Sequence, residues 1–167
     1  RADPGPGFYP VALAFRLTPW TSLGVLLALP LAWRRNERRS LVWLLGAFVV
    51  VYIVFMTTGA KKFDRYILPA FGPLDVIAAL GLSTALEWAL RRWRGVSTTG
   101  RMTAGLAALL GALIAGTVLP HAPYYLTYYN PLLGGARTAV KVLLVGWGEG
   151  LDEAIRYLNS LPDIENR

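Results

Sequence analysis

Residues 40–58 read SLVWLLGAFVVVYIVFMTT and carry no charged side chain. Wound as a helix, such a run is long enough to cross a hydrocarbon core, which takes about 17–25 residues. Three further apolar runs reach that length: 17–33, with Pro19 near its start and Pro30 near its end; 66–90, which holds Pro69, Pro73, Asp75 and Glu87; and 102–119, rich in alanine, glycine and leucine. Both prolines of the first run lie where a missing backbone donor does least damage. The third run is less regular than the others.

Composition agrees with a bilayer protein. Hydrophobic residues make up 54% and charged residues 16%, where soluble domains hold about a quarter charged. The chain has no cysteine and a single histidine, His121, which excludes a disulfide framework, a thiolate metal site and a His-rich cluster. A net charge of +7 would suggest nucleic acid in a soluble protein. Here the basic residues bracket apolar runs, so orientation in a membrane and contact with anionic lipid are the better readings, and no nucleic-acid partner is expected. The fold class is therefore an all-α polytopic membrane protein. About four transmembrane helices fill residues 1–120, and 121–167 form an outer interfacial segment and the start of a water-soluble outer domain. The chain opens at Arg1 with no charged-then-apolar leader and reads as the carboxyl part of a longer protein.

RRNERR (34–39) and RRWRGVSTTGR (91–101) each contain four arginines. Placed on one side, they satisfy the positive-inside rule and leave both termini and the connector GAKKFDRYILPAFGP (59–73) outside. That connector carries Lys61, Lys62, Asp64 and Arg65, on the side where basic residues are usually sparse. A helix starting near Lys62 would put Lys62 and Arg65 on one face at i, i+3. There the planar fork of arginine and the mobile charge of lysine suit an anionic headgroup. Tyr66 could add a hydroxyl at the same depth, and Asp64 could orient Arg65 or lower the local charge. The plainer alternative is that these are interfacial anchors, common at the ends of membrane helices.

Other features admit two readings each. Prolines 69 and 73 leave backbone carbonyls free, which is tolerated where a helix end faces protein or a wet cavity. Asp75 is a functional candidate as an intramembrane carboxylate, or a polar structural residue wetted through Gly72 and Pro73. Glu87 can pair with Arg91 at i, i+4 and reads as structural. Ala104, Ala108, Ala112 and Gly116 form a small-residue stripe for helix packing, with a shorter patch at Gly81 and Ala85. The segment HAPYYLTYYNPLLGG (121–135), with four tyrosines, has an interfacial character. GWGEG (146–150) lacks the G-x-G-x-x-G spacing and is better read as a turn into an amphipathic helix starting near Glu149, with Glu149 and Asp152 complementing its dipole. His121 reads as an interfacial polar residue.

In order, PGPGFYPVALAFRLTPWTSLG, KKFDRYILPAFGPLDVIAALGL and PYYLTYYNPLLGGARTAVKVLLVGWGEGLDEAIRYLN resemble the carboxyl-terminal half of GT-C membrane glycosyltransferases. Within that fold the chain is most similar to bacterial polyprenyl-phosphate-dependent enzymes related to aminoarabinose transferase and protein O-mannosyltransferases. The most specific parts are R-Y-x-L-P at residues 65–69 and the stretch 130–150. The resemblance implies a bacterial inner-membrane sugar transferase that takes its donor from a polyprenyl-phosphate-linked sugar at the outer face. In such enzymes a carboxylate of the first outer loop is the general base of an inverting displacement, and outer-loop cations hold the phosphate. By residue match, Arg65 and Tyr66, with Lys62 nearby, are the candidate donor-phosphate contacts. The first outer loop is not in this chain and Asp3 does not match its motif, so the catalytic base stays unassigned and the chain alone is expected to be inactive. No cofactor is identified, the residues give no support for a divalent metal, and the acceptor is unassigned. A lipid-binding scaffold subunit and a transporter segment are the alternatives. Paired discontinuous spans in repeated halves would mark a transporter, and the sequence shows no internal repeat.

Overall fold

The computed structural model describes residues 5–33, 38–94, 100–143 and 148–161. Among them the regular structure is helical, with no strand: α1 (Phe8–Arg16), α2 (Pro19–Trp33), α3 (Arg38–Thr57), α4 (Leu68–Arg94), α5 (Gly100–Val118), α6 (Gly135–Val142) and α7 (Leu151–Asn159), with short 3-10 turns between. By length and composition two helices can cross a membrane, Arg38–Thr57 and the continuous Asp64–Arg92. The number rises to four if each of two bent pairs is one span: Phe8–Arg16 with Pro19–Trp33, bent by 113°, and Ala107–His121 with Tyr125–Leu133, bent by 98°. The all-α membrane architecture expected from the sequence is present. At the start of the outer segment's helices, Ala139 and Leu143 are buried in the same cluster as α1.

The run expected at 17–33 is the second arm of a broken helix. Leu17 is extended (φ −69°, ψ 140°), and the chain re-enters a helix at Pro19, whose fixed φ and missing donor suit a first helical position. Thr18 caps this start, its hydroxyl accepting from the Thr21 N–H at 3.1 Å. Pro30 lies inside α2, so the helix there continues past a residue that cannot donate to the turn before it. The 40–58 run is α3, and only 11% of its apolar window is buried. Trp43, Leu44, Val51 and Phe55 are all exposed, as lipid-facing side chains are.

The third run is more regular than its prolines suggest. A 3-10 turn, Asp64–Ile67, leads directly into α4, an unbroken 27-residue helix with Pro73 inside it. Pro73 removes only the bond that would return to the carbonyl of residue 69, in the first turn. The α4 helix runs parallel to α2 and close against it. A Cβ added at Gly24 would sit 2.6 Å from the Ala78 carbonyl oxygen, and one at Gly81 2.6 Å from the Ala28 nitrogen. Small residues permit such backbone approach, and van der Waals contact then supplies much of the association in lipid. The α5 stripe does not do this. Ala104, Ala108, Ala112 and Gly116 are all exposed, and among the described residues the close glycine crossing is between α2 and α4, with Gly81 taking part.

Residues 34–37 and 95–99 of the arginine-rich loops lie outside the described residues, as do Gly146 and Trp147 of GWGEG. The last helix begins at Leu151 rather than near Glu149, after Gly150 in the left-handed region (φ 81°). Asp152 and Glu153 occupy its first turn, where carboxylates favour the helix dipole.

Candidate functional site

The connector after α3 and the tyrosine-rich segment after α5 meet at one end of the bundle, over the break between α1 and α2. Phe8, Tyr9, Ala12 and Phe15 of α1 form a buried cluster there with Ile67, Tyr129, Ala139 and Leu143. Burial of this kind stabilises by roughly 1.5–3 kcal/mol per large apolar side chain. It gathers four segments that are remote in sequence.

The motif NPLLGG has a specific geometric use at this junction. The Asn130 side-chain oxygen accepts from the Leu132 N–H at 3.0 Å and caps the Pro131–Leu133 turn. Gly134 closes the turn at φ 88°, a conformation that favours glycine. Asn130 also donates its backbone N–H to the Phe15 carbonyl at 2.7 Å and its side-chain amide to the Ala14 carbonyl at 3.3 Å. The carboxyl end of α1 leaves carbonyls without helical partners, and Asn130 satisfies two of them.

Arg16, the last residue of α1, is the centre of the polar network. Its Nε donates to Asp64 Oδ2 at 2.9 Å, and Nη2 donates to the same oxygen and to the Tyr129 hydroxyl at 3.0 Å. Nη1 donates to the carbonyls of Leu126 and Tyr128, the latter at 3.0 Å. The guanidinium also lies 4.2 Å from the centroid of the Tyr129 ring, within cation–π range. Asp64 Oδ1 accepts the Arg65 backbone N–H at 3.0 Å.

The three expected contact residues divide by position. Arg65 is exposed, with its guanidinium 5.2 Å from the Phe63 centroid and 5.8 Å from that of Tyr66. These two rings meet edge to face at 5.3 Å. Tyr66 is half-buried, and its carbonyl accepts from the Tyr52 hydroxyl at 2.7 Å. Arg65 and Tyr66 thus form one aromatic-backed cationic ledge. Lys62 does not share it on a common helical face. The turn starts only at Asp64, and Lys62 is 8% exposed. The carboxylate of Asp64, read as orienting Arg65 or lowering the local charge, binds the Arg16 guanidinium and the Arg65 backbone N–H. A cleft with room for about one water separates Arg16 from Arg65, bordered by Asp64, Leu68, Phe71 and Leu126.

Arg16 was not a sequence candidate. The signal that marks it is isolation, since it is the one charged residue between Asp3 and Arg34. A lone charge in an apolar stretch must find a partner or meet water.

A second space lies between α4 and α5, a cavity of ≈ 680 Å³ with mostly apolar walls. Its polar lining comes from Thr21, Asp75, Ser83 and Glu87. Thr21 donates to Asp75 Oδ1 at 3.2 Å. Glu87 faces Arg38 of α3 at 3.6 Å, and Arg38 also donates to Thr84 at 2.9 Å. Glu87 therefore bridges to a neighbouring helix, a tertiary use in place of the local one expected.

Beyond the ledge, the His121 ring meets Tyr128 edge to face at 5.3 Å. The Tyr124 hydroxyl donates to Asp152, tying the start of α7 to the tyrosine-rich segment. That bond pushes the Tyr124 hydroxyl up to about 12 and holds the Asp152 carboxyl below its usual range. Among the described residues no group of three or more His, Cys, Asp or Glu side chains could hold a metal ion.

Fold and site together define a helical protein with two to four candidate membrane spans, carrying a cationic ledge at one end of its bundle. No family model matches the chain, and no solved structure does. A curated relative, the undecaprenyl phosphate-alpha-4-amino-4-deoxy-L-arabinose arabinosyl transferase 2 of Sodalis glossinidius (strain morsitans), is 38% identical over 85 residues. The similarity covers 50% of this chain, and the chain spans about 15% of the relative's length.

Proposed function

We propose that this chain is part of a membrane glycosyltransferase that takes a sugar from a polyprenyl-phosphate donor. The observation that carries the reading is the partial identity to a transferase named for an undecaprenyl-phosphate-linked sugar. The exposed guanidinium of Arg65, backed by Phe63 and Tyr66, supports it from the side of chemistry.

In the proposed reaction an acceptor nucleophile attacks the anomeric carbon, inverting it. The bond from that carbon to the phosphate oxygen breaks, and polyprenyl phosphate leaves with the electron pair. Negative charge grows on the phosphate as the bond lengthens, so cations already in place stabilise the transition state more than the ground state. Arg65 offers a fork of charged donors, Tyr66 lies beside it, and Lys62 adds positive charge from the same connector. In this arrangement the ledge lies at the outer face of a bacterial plasma membrane, with both ends of the chain on that side. Residues 121–167 then begin an outer domain. No base or acceptor is assigned to residues of this chain.

The test is charge reversal at Arg65 in the intact membrane protein that contains this chain, supplied with a polyprenyl-phosphate-linked sugar. Loss of a charged hydrogen bond worth about 1.5–3 kcal/mol corresponds to a roughly 10- to 100-fold drop in kcat/KM. Retention of wild-type transfer by Arg65→Glu, with normal folding, removes Arg65 from the site. Absence of transfer by the wild-type protein favours a scaffold subunit.

A further inference from the structure

We propose that Arg16 is a positioning residue, which fixes the Arg65 turn against the tyrosine-rich segment and so sets where a phosphate-bearing headgroup meets Arg65. This rests on the reading of Arg65 given above. A guanidinium has five N–H donors, and the bonds from Arg16 account for all of them: two to Asp64, one to the Tyr129 hydroxyl, and one each to the Leu126 and Tyr128 carbonyls. No donor is left for a ligand. The side chain is 9% exposed and packed over the Tyr129 ring, so it acts through its neighbours.

Those neighbours belong to two segments, which the buried cluster of Ile67 and Tyr129 brings near each other without fixing their polar register. One is the turn carrying Arg65, reached through Asp64, whose second oxygen takes the Arg65 backbone N–H. The other is the stretch 126–129, 110 to 113 residues beyond Arg16 in sequence. Asn130 anchors that same stretch to the carbonyls of Ala14 and Phe15, so the last turn of α1 is a seam holding one segment on each side. Lysine cannot replace Arg16 here, since it offers a point charge with three donors and no planar fork.

The experiment uses the intact membrane protein in nanodiscs, in a cysteine-free background, with spin labels at the exposed positions 61 and 132 (Lys61→Cys, Leu132→Cys). Pulsed electron spin resonance then reads the distance between the two segments, and steady-state transfer from a polyprenyl-phosphate-linked sugar reads kcat and KM. In Arg16→Lys the distance distribution broadens and kcat/KM for the donor falls roughly tenfold with kcat lowered, the pattern of weakened transition-state stabilisation. Tyr129→Phe, which removes one of the five bonds, shifts both readouts the same way by less. An unchanged distance distribution in both variants overturns the proposal, as does a wild-type kcat/KM in Arg16→Lys. If Arg16→Lys does not fold, Tyr129→Phe decides alone: unchanged distance and unchanged kcat/KM refute the role. If the wild-type protein transfers no sugar, the Arg65 reading fails, and the distances still decide whether Arg16 holds the two segments.

Discussion

Arg16 and Asp64, 48 residues apart in sequence, form an ion pair whose side chains are only 9% and 3% exposed. Desolvation of both groups makes such a pair a weak net stabiliser, but the loss of one member leaves a buried charge uncompensated. Asp64→Ala is therefore expected to destabilise the protein by about 3–5 kcal/mol, read as a lowered melting temperature in detergent or nanodiscs. Arg16→Ala should cost much less in that background than it does alone, and simple additivity would show that the two residues do not act as a pair.

The crossing of α2 and α4 has no room for a methyl group at Gly81. Gly81→Ala forces a Cβ toward the Gly24 carbonyl and the Ala28 nitrogen, both backbone atoms. Overpacking against backbone is expected to cost about 1–3 kcal/mol. Gly116→Ala on α5, where nothing lies within 4 Å of the added atom, should leave stability unchanged. Equal melting temperatures for Gly81→Ala and wild type would mean that the two helices do not approach this closely.

Asp75 lines the cavity between α4 and α5 and accepts from Thr21. An apolar carbodiimide such as dicyclohexylcarbodiimide should reach this carboxyl and leave an adduct on the α4 peptide, detected by mass spectrometry and abolished in Asp75→Asn. An unmodified peptide at saturating reagent would show the space closed in the bilayer.

The bond from Tyr124 to Asp152 exists only while the phenol is protonated and the carboxylate ionised. Tyr124 is raised from 10.0 to about 12, so its contribution is complete below pH 10 and is lost as pH climbs through about 12. Asp152 is lowered from 3.8, so its contribution is complete above that value and fades as pH falls through the lowered one. Phenolate absorbance, taken as the difference from Tyr124→Phe, should rise near pH 12, and nearer pH 10 in Asp152→Asn. A midpoint near 10 in the wild-type protein would remove the bond.

The spans were legible because membrane crossing depends on local composition. The uncharged run at 40–58 could be little else, and α3 occupies it. Local reading reached less far wherever a partner came from elsewhere in the chain. Glu87 has Arg91 one turn away, yet it faces Arg38 from another helix. Lys62 and Arg65 look alike in KKFDRY, but one is buried and the other rides over Phe63 and Tyr66. The α5 stripe has the right spacing for packing and lies exposed, while Gly24 and Gly81 make the close crossing.

By itself, then, the sequence determined a helical, membrane-spanning class of protein, since long apolar runs with charges at their ends have few other low-energy states beside lipid. It also marked the segment that holds the candidate ledge. Tertiary structure alone decided which charge faces outward and which is consumed within the fold. Arg16, Asp64 and the carbonyls of residues 126 and 128 come together only when the break between α1 and α2 brings that helix end against two distant segments. Hydrogen-bond capacity is then spent between residues that only three-dimensional contacts bring together, which no local pattern encodes.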